Sequence, residues 1–151
     1  MVQVPDSLVW EVVKSNNSFM KKLNGRTRRS GAVRFSVESG NLKNISSYKY
    51  SGICNSKTVD VNTTETGGAA LKLKVASKAA TSPAKGVATI PLNKYYRRTQ
   101  HTIASNATDN YYRRDLKADA LKRYSAVYRS NRIQKGLMKK VPVKKGRNAR
   151  S

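Results

Sequence analysis

A chain of 151 residues with 38% hydrophobic content accommodates one modest domain with extensions and leaves little room for two. Its 31 lysines and arginines against 8 carboxylates give a formal charge of +23. Repulsion among so many like charges in a small body reaches on the order of tens of kcal/mol before screening, against a typical stability of roughly 5–15 kcal/mol, so a polyanion belongs to the working state.

The carboxylates are Asp6, Glu11, Glu38, Asp60, Glu65, Asp109, Asp115 and Asp119, and every charged side chain beyond Asp119 is positive. No apolar run approaches the ~18 residues of a membrane span, and the opening MVQVPDSLVW lacks the charged region of a secretory signal. A cytosolic and nuclear location is therefore expected. Cys54 is the only cysteine, which excludes an internal disulfide and a cysteine-held metal cluster within one chain. It reads as a small buried hydrophobe.

Taken in chain order, Leu8, Val9, Val12 and Val13 make one apolar stripe on a short helix, with Asp6 as its expected N-cap. Trp10 lies off that stripe and is expected to pack in the core. Val33, Phe35 and Val37 then alternate with polar residues behind NGRTRRSG, which predicts a hairpin with a basic tip. The same two-residue period surrounds Lys49 (Tyr48, Tyr50), Asp60 (Val59, Val61) and Lys72 to Lys74 (Leu71, Leu73, Val75). An antiparallel sheet follows, apolar on one face, with the first helix as its nearest cover and Arg34, Lys49, Lys72 and Lys74 on the other face. Gly67 and Gly68 mark a turn between two strands.

ASKAATSPAKG has no apolar period and reads as linker or loop. Leu92, Tyr95, Tyr96, Thr99 and Ile103 predict a second helix. The strongest helix runs from Asp115, as N-cap, to about Ile133, with Leu116, Ala120, Leu121, Tyr124, Val127 and Tyr128 on one side. The fold class expected is α+β: a short N-terminal helix packed on a small antiparallel sheet, then a helical C-terminal extension and a basic tail. The divisions expected are 1–75 for the α+β RNA-docking module, 76–91 for a linker or loop, 92–133 for the helical extension, and 134–151 for a tail disordered until bound.

Phosphate binding needs cations at many points, because each neutralised phosphate releases counterions and the contacts add. The candidates are Arg26, Arg28 and Arg29 at the hairpin tip; Arg34, Lys49, Lys72 and Lys74 on the sheet; Lys94, Arg97, Arg98, Arg113 and Arg114 beside tyrosines; Lys122, Arg129 and Arg132 on the long helix; and Lys139, Lys140, Lys144, Lys145 and Arg147 in the tail. Any one cluster alone would read as a solvated face, but the global excess reverses that. Tyr95, Tyr96, Tyr111 and Tyr112 are candidates for stacking on unpaired bases. The reading favoured for each pair is that one tyrosine packs inside with its hydroxyl at the rim.

Nothing points to catalysis. His101 is the only histidine, and the chain has no serine–histidine–aspartate order, paired-histidine metal site or phosphate-cradling glycine loop. No cofactor, metal or small-molecule substrate is expected. VPVKKGR near the end is similar to a nuclear import signal, as basic RNA-binding tails often are.

Three longer strings carry a resemblance: LVWEVVKSNNSFM from Leu8 to Met20, NLKNISSYKYSGICNSKTV from Asn41 to Val59, and DNYYRRDLKADALKRYSAV from Asp109 to Val127. Together they resemble the family of eukaryotic large-subunit ribosomal protein twenty-eight, which is unrelated to the bacterial protein of that number. The likeness does not extend between Asn62 and Leu92. It departs at Arg114, where the family usually has proline, and at Val37, where it usually has a cation. The resemblance implies a eukaryote-specific structural protein bound to large-subunit ribosomal RNA, with a small α+β domain and a helical extension. Neighbouring ribosomal proteins are its implied further partners, and its implied location is the cytoplasmic ribosome after nucleolar passage. A family of pre-ribosome assembly factors has a similar opening block but places several cysteines after it, where this chain has only Cys54. A chromatin-binding protein is the remaining alternative, motivated by the Lys/Ala/Pro/Ser linker and basic tail.

Overall fold

The computed structural model describes residues 4–25, 27–29, 31–79, 81–140 and 142. Helix α1 (Asp6–Val13) starts behind Pro5, whose restricted φ suits a helix entry. Asp6 is not the cap expected of it. Its carboxylate accepts the Ser56 N–H at 3.0 Å and ties α1 to a loop fifty residues away. The hairpin forms as predicted: β1 (Met20–Asn24) pairs antiparallel with β2 (Val33–Ser36), making a two-stranded sheet of its own.

Between β2 and the next strand, the period-two pattern around Tyr48 and Tyr50 folds as a turn instead of a strand. The polar residues interleaved with it decide this, since their side chains offer the backbone other partners. Asn41 Nδ2 donates to Glu38 Oε1 and to the Ile45 carbonyl, both at 2.9 Å, while its Oδ1 accepts from the Lys43 and Ile45 N–H groups. Glu38 Oε2 accepts from Ser51 Oγ at 3.1 Å and the Ile53 N–H at 3.3 Å. Glu38, Asn41 and Ser51 are all buried, so the network serves backbone groups that a strand ladder would otherwise satisfy. Two arms of this loop touch at Gly52, where a Cβ would fall 1.8 Å from the Ser39 carbonyl oxygen.

A three-stranded antiparallel sheet comes next, in the order β3 (Val59–Thr63), β4 (Ala69–Lys74), β5 (Val87–Pro91), with Val61 opposite Leu71 and Leu71 opposite Ile90. The β3–β4 turn uses Gly67 at φ +73° and Gly68, whose N–H donates to Thr64 Oγ1 at 3.0 Å. Between β4 and β5 lie a short helix, α2 (Ala76–Ala79), and a 3-10 turn at Pro83–Lys85. Residues 87–91 of the segment expected as linker or loop are thus an edge strand. Helix α3 (Tyr96–Ala104) widens into a π turn at Ser105–Asp109, and a 3-10 turn at Arg114–Leu116 leads into α4 (Lys117–Gln134). Asp115 does not cap α4, because its carboxylate is held by Arg113.

Among the described residues, a hydrophobic core joins the three-stranded sheet to α3 and α4. Val59, Val61 and Leu71 are fully buried on the inner face of the sheet, and Ile103, Ala107, Leu116, Ala120, Tyr124 and Val127 close over them from α3, the turns and α4. Burying each such aliphatic side chain contributes roughly 1.5–3 kcal/mol. The predicted stripe of α4 is therefore real, but α4 and α3 are the cover expected of α1. Helix α1 has no buried residue: Leu8 and Val12 are exposed, and Trp10 meets Tyr48 edge-on at 6.1 Å, outside the core. The fold class is α+β, with an N-terminal helix, small antiparallel sheets and C-terminal helices. Cys54 is buried as expected, and desolvation pushes its thiol above the ordinary value.

The stripe of α4 ends on a polar residue that no apolar count finds. Buried Asn131 donates from Nδ2 to the Gly68 carbonyl at 2.6 Å and accepts from Thr63 Oγ1 at 3.1 Å, fastening the β3–β4 turn to the helix. Arg123 does the same further up, donating from Nε to the Val61 carbonyl at 3.2 Å and from Nη2 to Asn62 Oδ1 at 3.3 Å.

Candidate nucleic-acid interface

The fold sorts the predicted cations into two populations. Arg28 and Arg29 are exposed on the loop between β1 and β2, while Arg26 lies outside the described residues. Lys94, Arg97 and Arg98 are exposed at and before the start of α3. Lys122 and Arg129 are exposed on α4, away from buried Ala120, Tyr124 and Val127. Arg114, Lys139 and Lys140 are exposed as well; Lys144, Lys145 and Arg147 lie outside the described residues. The expectation of an unfolded tail falls largely on those residues too.

The second population is engaged inside the protein. Lys74 Nζ donates to the Asn55 carbonyl at 2.8 Å and the Gly52 carbonyl at 3.2 Å. Arg34 remains exposed, but its Nη1 donates to the Ser15 carbonyl at 2.8 Å and links the hairpin to the end of α1. Arg113 is the most committed of all. It grips Asp115 through Nε at 2.9 Å and Nη2 at 2.8 Å, and reaches the Lys57 carbonyl, the Lys49 carbonyl and Asn55 Oδ1. Arg132 is half-buried over the Tyr128 ring at 5.8 Å. The single basic sheet face does not form: Arg34 belongs to the other sheet, Lys49 sits in a turn, and the 37–58 loop leans on the outer face of β3, where buried Asp60 accepts the Gly40 N–H at 3.3 Å. Lys72 is half-buried on that outer face.

The tyrosine pairs split. Tyr96 stacks on Tyr124 at 5.4 Å and its hydroxyl meets Ser125 Oγ at 2.6 Å, whereas Tyr95 is 63% exposed. The Tyr112 hydroxyl donates to the Lys74 carbonyl at 2.5 Å and accepts from the Thr58 N–H at 3.1 Å, whereas Tyr111 is 75% exposed. Burial pushes the Tyr112 phenol above its ordinary value. Tyr111 also has φ +59°, a left-handed conformation that costs an L residue roughly 1–2 kcal/mol.

Lys43, Lys57 and Lys117, which are not among the candidates named from the sequence, are exposed as well. Lys43 belongs to a small charged cluster: its Nζ lies 3.2 Å from Asp119 Oδ1 and 4.8 Å from the centre of the Tyr50 ring, and the Tyr50 hydroxyl donates to Asp119 Oδ2 at 2.7 Å. The Tyr50 hydrogen bond, then Lys43, holds the Asp119 carboxyl below the usual range, and Arg113 does likewise for Asp115. Both groups therefore release their protons more readily folded than unfolded. Their stabilisation is complete above the unfolded range near pH 4 and is lost as pH falls through it toward the folded values. Asp119→Asn is expected to flatten the acid limb of stability in urea unfolding between about pH 6 and pH 3. An acid limb identical to that of the unaltered chain would refute the assignment.

His101 is exposed on α3, its Nδ1 3.3 Å from Ser105 Oγ. Among the described residues no group of three or more His, Cys, Asp or Glu could hold a metal ion, and no helix is long and apolar enough to cross a membrane. The two departures from the resembled pattern are both at the surface: Val37 is 56% exposed, and Arg114 opens the 3-10 turn before α4.

The model of the Ribosomal L28e protein family matches residues 8–130. Large ribosomal subunit protein eL28 of Caenorhabditis elegans is 36% identical over 126 residues, 83% of this chain and 89% of the relative. Its counterparts of the same name in Schizosaccharomyces pombe and Dictyostelium discoideum are 31% and 35% identical, over 89% and 85% of this chain and 98% and 89% of theirs. With the family model covering most of its length and relatives this similar aligned almost end to end, the chain belongs to the Ribosomal L28e protein family, a family of large-subunit ribosomal proteins and not of enzymes.

Proposed function

We propose that this chain is a structural constituent of the large subunit of the eukaryotic cytosolic ribosome, holding ribosomal RNA through phosphate contacts and supporting subunit architecture in translation. The observation that carries the reading is the sorting of the cations: Lys74 and Arg113 brace the fold, while Arg28, Arg29, Arg97, Arg98, Arg114, Lys122 and Arg129 point to solvent around a core that needs none of them. Eight carboxylates cannot neutralise 31 cations, and phosphates are the complement at this density. Neighbouring large-subunit ribosomal proteins are the second class of partner. The location is the cytoplasmic ribosome, reached after assembly in the nucleolus.

The hairpin tip offers a direct test, because none of the described residues between 25 and 32 belongs to the core. Arg28→Ala combined with Arg29→Ala is expected to leave the melting temperature unchanged and weaken binding to large-subunit ribosomal RNA. It should reduce the slope of log affinity against log salt by about 0.7–0.9 per lost phosphate contact. A lowered melting temperature with an unaltered salt slope would place these arginines in the fold and not on RNA.

A further inference from the structure

We propose that Tyr95 with Arg98, and Tyr111 with Arg114, are two platforms for unpaired nucleobases, an inference that rests on RNA being the partner. The order Tyr-Tyr-Arg-Arg occurs at 95–98 and again at 111–114, and both copies divide the same labour. The second tyrosine is the anchor, with its ring against the core cluster and its hydroxyl engaged: Tyr96 with Ser125, Tyr112 with the Lys74 carbonyl and the Thr58 N–H. The first tyrosine is left outside, 63% exposed at 95 and 75% exposed at 111. The closing arginine lies over that outer ring, at 5.7 Å for Arg98 over Tyr95 and 4.9 Å for Arg114 over Tyr111.

The backbone that presents each ring is fixed from behind. At the second copy, Arg113 bonds to the Lys49 and Lys57 carbonyls and to Asp115, and the Arg113 N–H donates to the Ala107 carbonyl at 2.9 Å. The φ of +59° at Tyr111 belongs to the reversal that ends the π turn, where the Tyr111 N–H donates to the Thr108 carbonyl, and it holds the ring out in solvent. What the fold leaves unused in both copies is the outer face of an exposed ring. A ring already positioned, with a guanidinium across one face, gains a base on its other face without first being ordered, and the arginine charge suits the flanking phosphate. Duplex RNA keeps its bases stacked on each other, so the ligand is a loop, bulge or end nucleotide with an open face. Stacking of this kind selects an available base more than a particular one.

Two measurements on purified large subunits decide the matter. Ultraviolet crosslinking of the unaltered chain, followed by mass spectrometry, is expected to find nucleotide adducts on Tyr95 and Tyr111. Dimethyl sulfate probing is expected to show one nucleotide becoming about fivefold or more reactive in Tyr111→Asn subunits, a conservative share of a stacking contact, and unchanged in Tyr111→Phe subunits. Asparagine removes the ring yet tolerates the left-handed backbone. Adducts confined to lysines and arginines, with flat reactivity in Tyr111→Asn subunits that retain the protein, would overturn the platforms and leave the phosphate-binding reading intact. If Tyr111→Asn fails to enter subunits, the adducts on the unaltered chain decide alone. Absence of the unaltered chain from large subunits would overturn both.

Discussion

Tyr124→Ala is expected to lower folding stability by about 3–5 kcal/mol, the usual cost of removing a buried aromatic ring. Tyr124 is 1% exposed and has the largest of the fully buried side chains among the described residues. It stacks on Tyr96 at 5.4 Å and lies 6.0 Å from Tyr128, so its loss empties the place where α3 and α4 meet the sheet. A basic protein of this charge has little margin without its anion, and a loss of that size should leave the free chain largely unfolded. Urea unfolding in high salt, where repulsion is screened, gives the number. A loss below about 1 kcal/mol would mean that α4 is not the cover of the sheet.

Arg113 and Arg114 are neighbours with opposite expected phenotypes. Arg113→Ala removes the grip on Asp115 and the bonds to Asn55, Lys49 and Lys57, and is expected to cost about 2–3 kcal/mol, since hydrogen bonds to charged groups contribute roughly 1.5–3 kcal/mol and part of this set faces solvent. Arg113→Lys is expected to recover little, because a single ammonium cannot reproduce the planar fork. Arg114→Ala is expected to change stability by no more than about 0.5 kcal/mol, the usual surface value, while weakening RNA binding. Thermal melts beside RNA titrations on the same pair of variants check both halves. The reverse assignment, with Arg114 critical to folding and Arg113 only to RNA, would refute the division of cations drawn from the fold.

That division marks the boundary of what the sequence discloses. The stripe Leu116, Ala120, Tyr124 and Val127 was legible because its helical spacing runs from the 3-10 turn through α4, and the β1–β2 hairpin because turn residues precede the alternating run Val33, Phe35 and Val37, although β1 itself does not alternate. Strand β5 was not: as an edge strand it is largely exposed and shows no apolar alternation, and Pro91 at its end reads as a breaker although an edge tolerates it. Helix α1 carries an apolar stripe, but two turns of helix do not say which surface they lie on. Its neighbours are fixed by Asp6 bonding to Ser56 and by Trp10 meeting Tyr48. The polar heart of the 37–58 loop, Glu38 with Asn41 and Ser51, has no periodic signature at all, because hydrogen-bond partners and not spacing place it.

Within the clusters of cations and tyrosines the sequence could not sort exposed residues from engaged ones. Neither Arg113 beside Arg114 nor Tyr111 beside Tyr112 differs in composition or local charge. They differ in direction, which the positive φ at Tyr111 and the anchors of Tyr112 and Arg113 set. Two of the three resembling strings, Asn41–Val59 and Asp109–Val127, are hydrogen-bonded to each other in the fold, through Tyr50 and Asp119 and through Tyr112 and Thr58.

The most direct measurement of the central claim is sedimentation of the tagged full chain from a eukaryotic cell extract after a high-salt wash. Recovery in stoichiometric amount with mature large subunits, released when the RNA is digested, is the predicted result. Recovery as a free monomer, or only in precursor particles or chromatin, would contradict it.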